Sequence, residues 1–450
     1  VETIAPRASG GWARAVDTAR LVRVGAGLVF HALALARARA RFCARLDAGL
    51  RTPDQAIDAM SAQQLVGEFR RLERLLLTRW DAPLINDFLC MIAFGLSRRV
   101  LSAWAGAEGL ALHGDLMIGQ GGIVSAEPAR RILEMGALAR RSPGMCARLA
   151  AGEGEALSED PELAAAFNAY LGRFGDRCVH ELKLESRSLH EDARPLMRAI
   201  AAAAGSAHQA KAVAPGSERL AQLFRDRPLK RLIAGWLLKW AKARVRDREN
   251  LRFERTRLFG RARRLFNTLG ARLFEAGALE TPRDVFFLTL DEALAAVEQG
   301  DVASLRQIVR VRGAEGARDR QRPGPPERID PPRPPAPAAQ GQNESGRAGL
   351  GCCAGVITAR VRVIADPSIE TLARGEILVA AATDPGWIAA FVNAGGIITE
   401  RGSLLSHSAI VARGLGLPCV VGLKGATQWL KTGDLVRLDG GAGLVERVGP

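Results

Sequence analysis

The chain has 450 residues, 48% of them hydrophobic, and a formal net charge of +15. That length is a prior of about three domains, and that apolar fraction builds packed cores, which excludes disordered, collagen-like and low-complexity classes. Seven cysteines lie scattered without a Cys-x-x-Cys pair, excluding a disulfide scaffold or zinc ribbon and fitting a reducing cytoplasm. From Gly351 to Pro450, nine Lys or Arg face eight Asp or Glu, so the basic excess lies in the first 350 residues. It is spread there through Ala/Arg helix pattern, with a single tyrosine in the whole chain. Single-strand binders interleave aromatic platforms with basic grooves. The charge therefore reads as a solvated helical surface, with no nucleic-acid partner expected; a basic binding bundle would show strong salt dependence.

From about Gly11 to Val311 the sequence reads as long helices. Leu21 to Ala36 follows Arg20, but its apolar run is short, contains His31 and continues as Ala/Arg helix. It reads as an amphipathic core helix rather than a signal peptide. Pro83 to Leu96 is a second apolar run, interrupted by Asn86 and Asp87, so no membrane span or membrane partner is expected. Asp87 is either a helix-helix hydrogen bond or a pocket wall. Ser61 opens a helix with a capping-box pattern, and helical spacing recurs at Pro161 to Phe174, Leu220 to Ala243 and Arg246 to Phe274. Gly119-Gln120-Gly121-Gly122 is a bare glycine turn with no following lysine, and no phosphate-binding Gly-x-x-x-x-Gly-Lys loop occurs. The opening Val1 suggests an upstream part.

Residues 312–349 turn rich in Pro, Gly and Arg, as in Pro331-Pro332-Arg333-Pro334-Pro335. Such a stretch buries too little to offset its ordering entropy and reads as a flexible linker. A tether suits a carrier that travels between active sites, though an inert connector has the same composition. Beyond it, the adjacent Cys352 and Cys353 occupy a loop or strand start.

The most informative stretch is Gly402 to Arg413. Apolar, β-branched runs at Gly396 to Glu400 and Cys419 to Gly422 flank it as strands, which sets His407 at a strand-to-helix corner. Ser406 can cap the helix, Arg413 suits its last turn, and Gly414, Gly416 and Pro418 end it. A helix N-terminus disfavours imidazolium and welcomes an anion, the two conditions for a phosphorylated histidine. The plainer reading of a single histidine is capping or packing.

The ordered words Thr383-Asp384-Pro385-Gly386-Trp387, Ala394-Gly395-Gly396, Thr399-Glu400-Arg401-Gly402, Ser406-His407, Ile410-Val411-Ala412-Arg413, Gly416-Leu417-Pro418 and Asp439-Gly440 resemble the phosphohistidine swivelling domain of the phosphoenolpyruvate-utilising superfamily. The resemblance implies that His407 is the phosphoryl carrier, with Gly402, Ser403, Ser406, Ser408 and Arg413 supporting the phosphate loop and helix start. Ser403 stands where the family has a second glycine, and Leu405 where phosphoenolpyruvate-using members have threonine. The missing threonine hydroxyl removes one donor to the phosphate and resembles the antibiotic-phosphorylating branch. A phosphoenolpyruvate-binding barrel needs about 250 residues, and neither the C-terminal remainder nor the helical region supplies one.

Phe174 to Leu184, Arg248 to Phe253 and Pro282 to Leu288 are similar to the acceptor-binding domain of that same branch, the rifampin phosphotransferase-like proteins. They offer Arg177, His180, Glu181, Arg252 and Arg257 as an acceptor pocket, or as a salt-bridge network pinning helices. Asp176 replaces the family's histidine, and is a weaker base unless burial raises its pKa. The expected fold is a multidomain α + α/β chain: an all-α acceptor domain over 1–311, the linker over 312–349, and a β/β/α swivelling domain over 350–450. The family relation implies a cytoplasmic phosphotransferase whose His407 is loaded from ATP and Mg2+ by an ATP-grasp domain upstream or on another polypeptide, for delivery to a small-molecule acceptor. No metal site is expected in this chain. The other reading is a regulatory phosphocarrier whose helical domain binds a protein.

Overall fold

A computed structural model describes residues 11–117, 124, 127–205, 216–300, 302–322, 346–367, 370 and 372–448. The glycine turn at 119–122 and most of the expected linker lie outside these residues. The helices that matter to the site are α1 (Gly11–Gly49), α2 (Asp81–Leu116), α3 (Pro161–Phe174), α4 (Arg194–Ala204), α5 (Pro228–Glu275) and α6 (Leu305–Gln321).

Local chemistry sets their ends. Ser61 and Gln64 exchange the two bonds of a capping box, and Asp160 accepts the Leu163 N–H at 3.0 Å ahead of Pro161, the first residue of α3. The two helices expected across Leu220–Phe274 run instead mostly as one, α5, because no proline interrupts it after Pro228. Its glycines serve close approaches: a Cβ on Gly260 would lie 2.2 Å from the Asp176 carboxylate, and one on Gly270 2.0 Å from the Pro282 carbonyl. α2 packs along α5, and their polar interruptions meet there: Arg244 donates to Asn86 Oδ1 at 3.1 Å, and Asn86 donates back to the Arg244 carbonyl at 3.2 Å. Arg39 of α1 and Arg244 both pair with the buried Asp247.

Two boundaries and one burial differ from expectation. α6 continues to Gln321, so the first ten residues assigned to the linker are helical; Arg, Ala, Glu and Gln favour helix, and Arg312 anchors the segment on Glu292. At the other end, Gly346–Ala348 already pairs with the last strand of the sheet. Leu21 to Ala36 is helical but mostly uncovered: Leu35 is buried, whereas Phe30 and Leu33 are 67% and 81% exposed. Val16–Gly49 and Ala62–Gly106 are long and apolar enough to cross a membrane by length and composition alone, with 6% and 33% of their apolar windows buried, a test that core helices and signal sequences also pass.

The C-terminal module is a mixed eight-stranded sheet, β1 (Gly346–Ala348), β2 (Leu350–Cys353), β3 (Val356–Val363), β4 (Ile377–Ala380), β5 (Gly396–Thr399), β6 (Cys419–Val421), β7 (Leu435–Asp439) and β8 (Leu444–Arg447), in the order β1-β8-β7-β3-β4-β5-β6-β2. β3, β4, β5 and β6 are parallel neighbours, with Ile377 opposite Gly396 and Ile397 opposite Cys419. β4, β5 and β6 are buried at every residue, as parallel strands covered on both faces must be. Two helices matter on this module: α7 (Ile388–Asn393) and α8 (His407–Leu415). α7 packs on α4, so one apolar cluster runs from Ile200 and Ala203 of the helical region into Phe391 and Ile397 of the sheet module. The module is thus docked on the helices.

Candidate functional site

The corner after β5 lies at the carboxyl end of the parallel strands, where open α/β sheets form their sites. Gly402 makes the turn: its φ is +154°, and a Cβ would sit 3.0 Å from Cβ of Val421 and 3.1 Å from Oγ of Ser406. Ser406 takes the extended conformation of an N-cap, but its hydroxyl meets Ser408 Oγ at 3.3 Å instead of capping the helix. Ser403 Oγ accepts the Leu405 N–H, and its carbonyl accepts the Ser406 N–H. Arg413 is buried far down the helix and reaches back to donate to the Leu404 carbonyl at 2.7 Å and that of Cys352 at 2.8 Å. It therefore braces the loop's backbone and does not line the pocket of His407. Leu405, where a threonine was the family expectation, packs into the apolar cluster of α2 and α5.

His407 is the first residue of α8, with its ring 6.0 Å from that of Phe391. Its Nε2 is buried without a hydrogen-bond partner. Burial, reinforced by Arg177 and Arg252, pushes its pKa down to about 3, so the imidazole is neutral.

Opposite stands a wall from the helical region. Arg248, Arg252, Arg255 and Thr256 of α5 share this pocket with Arg177, Glu181, Glu249, Asp384 and Arg401, so five arginines face three acids. Arg248 crosses the interface and donates to the Leu405 carbonyl at 3.0 Å. Arg177 is 4% exposed and lies over the rings of Phe174 and Phe253, each 5.6 Å away. Glu181 accepts the Thr256 hydroxyl at 2.8 Å, its other oxygen is buried and unpartnered, and burial raises its pKa. Arg263, fully buried, holds this segment in place by donating to the carbonyls of Asp176, Glu181, Lys183 and Leu184 and to Cys178 Sγ.

Of the expected acceptor-pocket residues, Arg177, Glu181 and Arg252 come together here. His180 does not line this pocket: at φ +58° it presents its N–H to Asp384 Oδ2 at 2.7 Å, a latch between the two regions. Arg257 is excluded as well. It pairs with Glu254 at 2.7 Å and lines a different groove with Arg261 and Arg264, because it follows Arg255 by two residues, half a helical turn away. Asp176 lines that second groove too, with its pKa raised by burial, so it is no base for His407 chemistry. Asp87 lies 3.7 Å from Arg248 as an ion pair behind the wall. Arg248 and Arg255 went unassigned in sequence, although spacing by four and seven residues along one helix was the signal. Arg401 and the bracing Arg263 carried no such signal.

Residues 372–443 match the family model described as PEP-utilising enzyme, mobile domain, and residues 86–249 match that of the rifampicin phosphotransferase fourth domain. An uncharacterised protein of Mycobacterium tuberculosis is 35% identical over 337 residues, 72% of this chain and 36% of that protein. A rifampicin phosphotransferase of Streptomyces sp is 29% identical over 346 residues, 72% of this chain and 40% of that protein. The prodigiosin synthesizing transferase PigC of Serratia marcescens is 46% identical over 117 residues, 25% of this chain and 13% of that protein. The chain thus spans little more than a third of the first two relatives.

Proposed function

Because the chain belongs to the phosphoenolpyruvate-utilising, rifampicin phosphotransferase-like family, we propose that it is the acceptor and carrier part of a phosphotransferase in which His407 relays a phosphoryl group. The observation that carries this reading is the neutral His407 imidazole, its Nε2 unpartnered, in one pocket with five arginines.

In this reading the Nε2 lone pair attacks a phosphorus of the ATP-derived donor, a P–N bond forms, and the bond from that phosphorus to its bridging oxygen breaks as the rest of the nucleotide leaves. ATP and Mg2+ are handled by an ATP-grasp domain outside this chain. The loaded module docks as in Overall fold, an acceptor hydroxyl attacks phosphorus, and the P–N bond breaks with its electrons returning to Nε2. The hydroxyl proton passes to Glu181, whose raised pKa and free oxygen suit a base. Arg177, Arg248 and Arg252 stabilise the charge on the transferring group. The acceptor is a small molecule, for which a polar pocket beside His407 argues more than a filled bundle face would. A cytoplasmic location follows from the need for ATP.

Mass spectrometry at alkaline pH tests the relay on the chain purified from its own cells, and after incubation with ATP, Mg2+ and an ATP-grasp domain. The expected result is acid-labile phosphate on the His407 peptide, absent in His407→Ala. Lasting absence in both preparations overturns the relay.

A further inference from the structure

A second cavity, about 380 Å³, lies beside the His407 pocket and is not lined by His407. The helical region contributes Tyr170, Arg177, Leu196 and Ala199, and the docked module contributes Gly386 and Ala389. Arg177 lines both this cavity and the His407 pocket.

Three observations mark it as a ligand site. Tyr170 is fully buried, and its hydroxyl has no hydrogen-bond partner. Arg177 is 4% exposed, and its Nε is likewise unpartnered. Each such buried donor costs about 1–3 kcal/mol when unmet, so two of them on residues that line this cavity favour a molecule that brings an acceptor. Third, the cavity is closed by docking. Gly386 packs so tightly on the helical region that a Cβ would be 2.5 Å from the Cys178 carbonyl oxygen and the Val179 nitrogen, and the Asp384 latch to His180 stands next to it. The volume falls in the range of about 300–1,000 Å³ typical of small-molecule pockets.

We propose that this cavity is a ligand site completed by docking, and that it takes a compact, mostly apolar molecule of one or two fused rings bearing a single hydroxyl or anionic group for Tyr170 and Arg177. A ligand touching both regions stabilises the docked arrangement, and docking strengthens its binding by the same factor. Through Arg177 it also meets the charge of the relay. The molecule is either the phosphoryl acceptor or an effector of docking.

Isothermal titration of the whole chain with naphthalene-2-sulfonate tests the site. The expected result is saturable binding at one site, weakened at least tenfold by Ala389→Trp, which fills the cavity from the module side, and by Gly386→Ala, which blocks docking. Tyr170→Phe is expected to weaken binding several-fold. His407→Ala, outside the cavity, is expected to leave it within twofold, so failure of the relay and failure of this site are separate results. Circular dichroism checks that each variant is folded, and because Ala389 and Gly386 lie at the interface, two independent substitutions address the same claim. No binding at millimolar probe, or equal affinity in the wild type and both interface variants, overturns the proposal; the latter places the probe on exposed apolar faces such as that of α1. With binding shown, phosphate transfer from phosphorylated His407 to 2-naphthol identifies an acceptor site, and phosphate retained on His407 identifies an effector site.

Discussion

The two sides of the His407 pocket are built differently. The carrier side comes from two short loops of the sheet module, 382–385 and 401–408, the second fixed by one turn, one helix start and the bracing of Arg413. The opposing wall gathers Arg177 and Glu181 from one loop and Arg248, Arg252 and Arg255 from a helix dozens of residues later, and Arg263 ties that loop down. A site made of consecutive residues depends on local geometry. A site made of distant residues depends on the packing that joins them, and its failure modes are correspondingly different.

Removing the tie should break the wall first. Arg263→Met leaves four carbonyls without their donor in a buried place, and a loss of about 3–5 kcal/mol is expected. Denaturant unfolding of the helical region reads this directly; a loss near zero would mean the loop holds itself. Arg252→Ala separates loading from delivery. Phosphate should still accumulate on His407, because the wall meets the carrier only when docked, while transfer to acceptor slows by about 10²–10³-fold. Rapid-quench measurement of both steps checks it, and equal slowing of the two would erase the distinction between the sides. Gly402→Ala attacks the local side alone. With φ at +154° and Val421 3.0 Å from the new Cβ, a cost of about 1–3 kcal/mol is expected, seen as a lower melting temperature with the helical wall intact.

This asymmetry also explains what could be read in the sequence. The His407 corner was legible because its turn, flanking strands and helix end are written within about twenty residues, in glycines and β-branched runs. Even there, the Ser406 hydroxyl turns to Ser408 rather than to the helix N–H groups, a rotamer choice no composition encodes. The all-helical character of the first region was legible from spacing; the docking of the sheet module on it, through one shared apolar cluster, was not. Which arginines meet was not. Arg257 and Arg252 look alike in sequence, yet five residues of helix carry them to different faces. The latch of Asp384 on His180 joins positions 204 apart and needs a left-handed residue that is not glycine. The exposed face of α1 misled for a related reason: apolar periodicity reports a face that can be buried, not that anything covers it.

The state of the imidazole is a finer test of the buried pocket. With its folded pKa near 3 against an ordinary 6.5, His407 binds fewer protons in the docked fold than when exposed. Its contribution to stability is therefore complete above pH 6.5 and is lost as pH falls from 6.5 toward 3. Asp384 and Glu181, whose pKa values burial raises, act with the opposite sign, so the net stability slope mixes them. Nitrogen-15 shifts of the His407 ring isolate the one group. A neutral ring at pH 5.5 is expected, and a protonated one would show that the pocket opens freely to water.

The smallest effect expected is at Arg257. It carries the same charge as Arg252 and sits on the same helix, but its partner is Glu254 three residues before it, a half-buried pair within one helix, and it lines a separate groove. Such pairs contribute about 0.3–0.5 kcal/mol. Arg257→Ala should leave both loading and delivery within twofold and the melting temperature nearly unchanged, whereas Arg252→Ala slows delivery alone. A matching loss of delivery in the two variants would mean that the wall selects for total charge. A clean split between them would mean that it selects for the face of the helix, and that position, not basicity, makes an arginine part of this site.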